Sequence, residues 1–455
     1  MNQKIDRNLK RNVSSQNINE TRRYLNPSDI NVSAGYAIEV FVQELDSPIS
    51  MLFDQDGYLI IAESGFTSGN PRVLRLVNGR FEVIADGFNI PITGINYLNG
   101  IIYISHRGVI STINPSGERQ NIIAGLPSNG DYYNSRVVIG SDNKLYFGQG
   151  TATNSGVVGS DNDWVVSFPL ACDYPGDYIL LNGQNFASNN MLTIGGPRET
   201  VYTGAFSPYG VPNGPYEVRK GFVKASGSIL RANLDGTNLE LYAWGFRNPS
   251  YMRFDELKRL FVSNNGYEDR GSRPIANALD EFFLVSHGLW YGWPDFSGGE
   301  PVTATKFKPE GGAQPELLIK QQPNPSPRPY ATFPANSGIM GFDFNYNEDF
   351  GPYGDVYIAE YGMRRYLSNR DMISYANVGH RISKIDMKTG EVSTFAINKS
   401  GLAASRTLEG GFDRLTDVIF GPDGAMYILD LGSNIRDTPN TVLPNTGVVW
   451  RIYKL

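Results

Sequence analysis

Few side chains in this sequence are equipped for chemistry, and most of those are arginines, amides and carboxylates on turns. The run Tyr242-Ala243-Trp244-Gly245-Phe246-Arg247-Asn248-Pro249 sets a guanidinium beside an amide and stiffens the pair with a proline. Together they offer a planar fork of donors plus a carboxamide, suited to carboxylates and carbonyls on a flat ligand. A purely structural loop of the same composition is the competing reading. Downstream, Asp280 and Glu281 precede the apolar Phe282-Phe283-Leu284-Val285. They either contribute acid chemistry or cap turns and pair with Arg270 or Arg273. Asp413, Arg414 and Asp417 form a third cluster of the same double character.

Other chemistries lack their residues. The three histidines, His106, His287 and His380, are far apart in the chain, so a histidine-rich metal site is not expected. Each reads as a surface or turn histidine. A lone cysteine, Cys172, excludes an intrachain disulfide framework and a cysteine-cluster metal site. There is no Gly-x-Ser-x-Gly elbow and no Gly-Lys-Ser/Thr phosphate cradle, and Gly148-Gln149-Gly150 lacks the third glycine of a dinucleotide fingerprint. Serine hydrolase, kinase and nicotinamide-enzyme readings therefore fall away. The Asp54-Gln55-Asp56-Gly57 piece lacks the later glutamate of a calcium loop and reads as a hairpin turn.

These groups need a scaffold that presents loops. With 455 residues, 50 glycines, 27 prolines and 12% aromatic side chains, the chain favours many short strands joined by tight turns. An apolar strand, an Asp-Gly-type turn and further strands recur six times, starting near Pro48, Ile92, Arg136, Tyr242, Gly341 and Asp417. Repeats of this kind predict an all-β fold, a six-bladed β-propeller with four-stranded blades. The stretch 37–42 is expected to supply the outer strand of the last blade and so bury an open edge. Residues 1–35, rich in Asn, Ser, Arg and Lys, read as a disordered polar tail before a propeller spanning 36–455. An insertion at about 156–221 breaks the third repeat, and the proline-rich 321–329 reads as a connector between the fourth and fifth. A net charge of -6 gives no footprint for nucleic acid or an anionic membrane. No apolar run is long enough for a signal peptide or for membrane insertion, so a cytoplasmic or non-classically surface-associated location is expected.

Three pieces carry a family resemblance: Gly245-Phe246-Arg247-Asn248-Pro249, Asp280-Glu281 followed by Tyr291-Gly292-Trp293-Pro294, and Asp417-Val418 with Gly421-Pro422-Asp423-Gly424-Ala425-Met426-Tyr427. Through them residues 38–455 resemble the pyrroloquinoline quinone (PQQ)-dependent sugar dehydrogenases, the glucose/sorbosone dehydrogenase family of six-bladed propellers. The resemblance implies an oxidoreductase for an aldose or related polyol, with PQQ and calcium (Ca2+) at the channel mouth. It assigns Arg247, Asn248 and Arg414 to the quinone and the backbone carbonyls of Gly266 and Tyr267 to calcium. A second basic position in relatives reads Thr416 here. Relatives also carry a general-base histidine before the third blade, where this chain has Asp131-Tyr132-Tyr133, and some carry another where Asn336 stands. Tyr132 and Asp131 thus become the groups nearest the substrate, although tyrosine with an ordinary pKa near ~10 is a poor base at neutral pH. Loss of the imidazole opens a second reading, a non-catalytic propeller that binds a glycan or a protein partner. A hydrolase or lactonase with calcium on several carboxylates is the third.

Overall fold

The computed structural model describes residues 22–193, 199–363, 378–433 and 442–455. Six antiparallel sheets form the blades of a propeller. The first blade runs through Pro48–Phe53, Leu59–Glu63, Arg72–Val77 and Arg80–Asp86. Its first hairpin shows why the sequence folds this way. Asp54 Oδ1 accepts the amides of Asp56 at 3.0 Å and Tyr58 at 2.9 Å, and Gly57 takes the left-handed φ of 80° that the turn requires.

The innermost strands of the six blades are Pro48–Phe53, Ile92–Leu98, Val138–Ile139, Pro249–Phe254, Ile339–Phe344 and Leu415–Phe420. They pack side by side around the axis, and Asn96 Nδ2 donates to the Val137 carbonyl at 2.9 Å to tie the second blade to the third. The second strands, such as Leu59–Glu63, Leu260–Asn264, Val356–Glu360 and Met426–Asp430, are buried along their whole length between neighbouring blades. Burial on both faces accounts for their unbroken apolar runs, each large side chain contributing about 1.5–3 kcal/mol.

Closure follows the expectation for 37–42. The strand Tyr36–Leu45 pairs with Gly447–Lys454, with Tyr36 opposite Lys454 and Val40 opposite Trp450, so an early strand and the last strand share the sixth blade. The disordered-tail expectation for 1–35 is corrected over 22–35. Ile30–Val32 adds a fifth strand to the fifth blade, Ile30 lying opposite Asn398. Arg23 is anchored deeper still, its Nη2 reaching Asp430 at 2.7 Å and the Gly411 carbonyl at 2.7 Å. Residues 1–21 lie outside the described residues.

The insertion sits between Lys144–Gln149 and Ser228–Asn233 of the third blade. It folds as two ribbons, Ile179–Leu180 with Val218–Arg219 and Asn185–Asn189 with Thr200–Gly204. Apolar side chains such as Val157, Leu181 and Phe206 bury it against the ring, while Val165 packs among the insertion's own side chains. The connector expectation for 321–329 is also corrected. Those residues precede Ala331–Phe333, which is the fourth strand of the fourth blade, so they join two strands of one blade.

Candidate functional site

A cavity of about 280 Å³ opens at the end of the ring where the innermost strands begin, and every blade contributes to it. Ile49, Thr93, Tyr132, Arg247, Met340 and Leu431 represent blades one to six in its lining. Among the residues singled out from sequence, Asp131, Tyr132, Arg247, Asn248, Gly266, Tyr267, Asp280 and Asn336 line it. Arg414 does not. It is buried, donates to the Met363 carbonyl at 2.5 Å and lies 5.2 Å from the centre of the Tyr361 ring, so it supports two residues of the wall. Asp417 is buried away from the lining in an ion pair with Arg136 at 3.2 Å, and Asp413 accepts the amide and hydroxyl of Ser405, each at 3.0 Å.

The Arg247-Asn248 turn is held by backbone as much as by proline. Both amides donate to Asn264 Oδ1, each at 3.0 Å, and Asn264 Nδ2 in turn donates to Glu281 Oε2 at 2.8 Å. The preceding Gly245 has φ 83° and packs so closely on Trp290 that a side chain there would collide with the indole. The Arg247 guanidinium is 2% exposed as a residue, stands 4.7 Å from the Tyr132 ring centre, and donates through Nε to Asn154 at 3.1–3.2 Å. Its buried Nη2 makes no hydrogen bond and has only an ionic contact with Glu268 at 3.4 Å. Asn248 Nδ2 donates to Asn265 Oδ1 at 2.8 Å, and Asn265 Nδ2 donates to the Ile339 carbonyl at 2.8 Å.

Beside this turn, Gly266 donates its amide to Asp280 Oδ1 at 2.7 Å. The carbonyls of Gly266 and Tyr267 accept no hydrogen bond from a described residue. Gly266 and Tyr267 both line the cavity, beside Arg247, whose buried Nη2 makes no hydrogen bond. Among the described residues no cluster of three or more His, Cys, Asp or Glu side chains is arranged to hold a metal. Carbonyl ligation of a hard cation requires none.

Tyr132 does not sit as a base would. Burial pushes its hydroxyl up to about 12, and the nearby Arg247 charge only partly offsets that. The hydroxyl stays protonated at neutral pH and points toward Glu268 Oε1 at 3.5 Å. Asp131 is fully committed: Oδ1 accepts from Trp164 Nε1 at 2.8 Å and Asn162 Nδ2 at 3.1 Å, while Oδ2 accepts from Arg270 at 2.6 Å. It ties the insertion to the cavity rim. Asp280, also buried, is pushed up to about 6 by burial, against the pull of three backbone amides. Burial likewise raises Glu281 to about 7.

None of the histidines lines the cavity. His106 is buried, accepts the Asn89 amide through Nδ1 at 3.1 Å and faces Ser111 Oγ through Nε2 at 2.8 Å; burial lowers it to about 4. His380 is buried beneath the wall with Nδ1 2.7 Å from the Asp413 carbonyl, and is lowered to about 3. His287 is exposed. Residues that sequence reasoning did not select are Asn154, Asn264, Asn265 and Glu268, the amide framework of the site. The one signal for them is the pair Asn264-Asn265 at the end of an otherwise apolar strand, where buried amides need a purpose.

No family model matches the chain. Over 180 residues it is 25% identical to quinoprotein glucose dehydrogenase B of Acinetobacter calcoaceticus, a match covering 39% of this chain and 29% of that protein's length. In fold, it is similar to the PQQ domain of pyranose dehydrogenase from Coprinopsis cinerea, with TM-score 0.57, 13% identity, and 96% and 98% of the two chains covered. It is also similar to the PQQ-bound aldose sugar dehydrogenase of Streptomyces coelicolor, with TM-score 0.51, 16% identity, and 93% and 99% covered. These likenesses establish the propeller fold, and the relatives they point to are PQQ-dependent sugar dehydrogenases.

Proposed function

We propose that the chain is a quinoprotein-type oxidoreductase that oxidises an aldose or a related polyol in the cavity shared by the six blades. The observation that carries this reading is that Arg247, whose buried Nη2 makes no hydrogen bond and only an ionic contact with Glu268, lines one cavity with Gly266 and Tyr267, whose carbonyls accept no hydrogen bond from a described residue. Such a donor set fits a flat, anionic quinone together with a hard cation. Arg247 and Asn248 would hold PQQ, Gly266 and Tyr267 would hold calcium, and Arg414 would act one step back by fixing Tyr361 and Met363. Bound there, the quinone supplies a two-electron acceptor and the cation a Lewis acid.

The chain's own residues then bind, orient and exclude water. Oxidation of a sugar hydroxyl would pass a hydride to the two-electron acceptor and release its proton to solvent at the cavity mouth, so the substrate carbon must face the acceptor in a fixed pose. Tyr132, protonated, donates a hydrogen bond at the cavity, and its ring braces Arg247. Asp131 holds the Tyr132 loop through Trp164, Asn162 and Arg270. Apolar side chains including Ile49, Tyr251 and Met340 line the same cavity.

The test is to load the protein with PQQ and calcium, remove the excess, and follow reduction of an artificial electron-acceptor dye with aldoses and polyols. Sugar-dependent reduction that disappears without quinone supports the reading. Bound quinone with no reduction by any sugar would leave a propeller that binds its ligand without catalysis.

A further inference from the structure

Asp280 and Glu281 are neighbours on the strand Asp280–Val285 and are 3% and 6% exposed, yet they point to opposite faces and serve different halves of the cavity wall. Asp280 Oδ1 accepts the Gly266 amide at 2.7 Å, and Oδ2 accepts the amides of Gly338 at 2.6 Å and Ile339 at 3.1 Å. One carboxylate therefore fastens the Gly266-Tyr267 turn of the fourth blade to the first residues of the fifth. Glu281 Oε1 accepts the Gly298 amide, and Oε2 accepts from Asn264 Nδ2 at 2.8 Å. Through Asn264 Oδ1 that contact reaches the amides of Arg247 and Asn248.

We infer that Asp280 and Glu281 are positioning residues with divided duties: Asp280 aims the cation-binding carbonyls of Gly266 and Tyr267, and Glu281, acting through Asn264, aims the quinone-binding Arg247 and Asn248. The inference rests on the quinone reading above and adds the device that keeps two ligand subsites in register. Two buried carboxylates are costly unless every oxygen is satisfied. Here each oxygen accepts a hydrogen bond, and the amides served directly or through Asn264 include four lining residues: Arg247, Asn248, Gly266 and Gly338. Every partner of these four oxygens is an N–H donor, and an amide side chain would replace one acceptor oxygen by an NH2 group that cannot accept from it, so D280N and E281Q each break one of these contacts.

The two duties predict crossed phenotypes. In D280N, the calcium concentration that half-saturates PQQ uptake, followed by quenching of tryptophan fluorescence, rises about tenfold or more. Its PQQ affinity at saturating calcium stays within about twofold of wild type. In E281Q, PQQ affinity falls about tenfold or more at saturating calcium, while the calcium midpoint moves by less than about twofold. Amide hydrogen exchange gives a ligand-free readout: faster exchange around Gly266 and Gly338 in D280N, and around Arg247 and Asn248 in E281Q. If D280N is recovered unfolded, D280S takes its place. Equal effects of the two variants on both ligands, or no effect on either, overturn the division of labour while leaving the quinone reading intact. Wild-type protein that takes up no PQQ at saturating calcium overturns both, whatever the exchange pattern.

Discussion

Tyr132 stands where the resemblance leads one to look for an imidazole, and its surroundings suit a different task. A hydroxyl pushed up to about 12 by burial is a hydrogen-bond donor throughout the working range, and the ring's second use is to face the Arg247 guanidinium at 4.7 Å. The two uses separate by mutation. Y132F is expected to change sugar-dependent turnover by less than about tenfold and to leave its pH profile unaltered between about pH 6 and pH 9. Y132A removes the cation–π partner, worth about 1 kcal/mol or more in a desolvated setting, and should weaken quinone binding about fivefold to tenfold. A Y132F profile that loses a basic limb would assign the proton transfer to this hydroxyl after all. At this scale the sequence displayed the residues that line the site and hid their supports. Arg247, Asn248 and Gly266 stand out because a proline and a turn glycine mark them. The commitment of Asp131 was not legible, because its partners Trp164 and Arg270 lie 33 and 139 positions away and only the fold brings them together.

The blade strands were easy to read because each is written by local rules: apolar runs, Asp-Gly turns and a spacing that repeats. Elements whose reason is remote were misread. Ile30–Val32 is three residues long in a polar setting, and its partner strand Val392–Asn398 lies at the other end of the sequence. Ala331–Phe333 is equally short and follows prolines, so the segment before it looked like a linker between blades. The corrected N-terminal segment carries its own test in Arg23. Its guanidinium and the Asp430 carboxylate have side chains 5% and 0% exposed, and Asp430 also accepts the amides of Asp413 at 2.8 Å and Arg414 at 3.0 Å. Removing one partner of a buried pair strands the other charge, at a cost of about 3–5 kcal/mol. R23M should therefore lose about 3 kcal/mol or more of stability in urea unfolding. A loss below about 0.5 kcal/mol would mean that residues 22–35 rest on the ring without contributing to it.

For the molecule as a whole, the decisive property is that one cavity is lined by all six blades of a ring closed by pairing an early strand with the last. Opening the ring anywhere disturbs the cavity, so a ligand bound there opposes unfolding of every blade and not only of the blades it touches. Linkage sets the size of that effect: at a free ligand concentration 100 times Kd the folded state gains about 2.7 kcal/mol. With unfolding entropy scaling at about 2.1 cal/mol/K per residue, a chain of this length unfolds roughly 1 °C higher per kcal/mol. PQQ and calcium together should therefore raise the single calorimetric unfolding transition by about 3 °C, and R247A should abolish most of that rise without changing the number of transitions. If calorimetry instead resolves two transitions and only one responds, the ring does not unfold as a unit. Those two strands would then close the sixth blade without coupling it to the site.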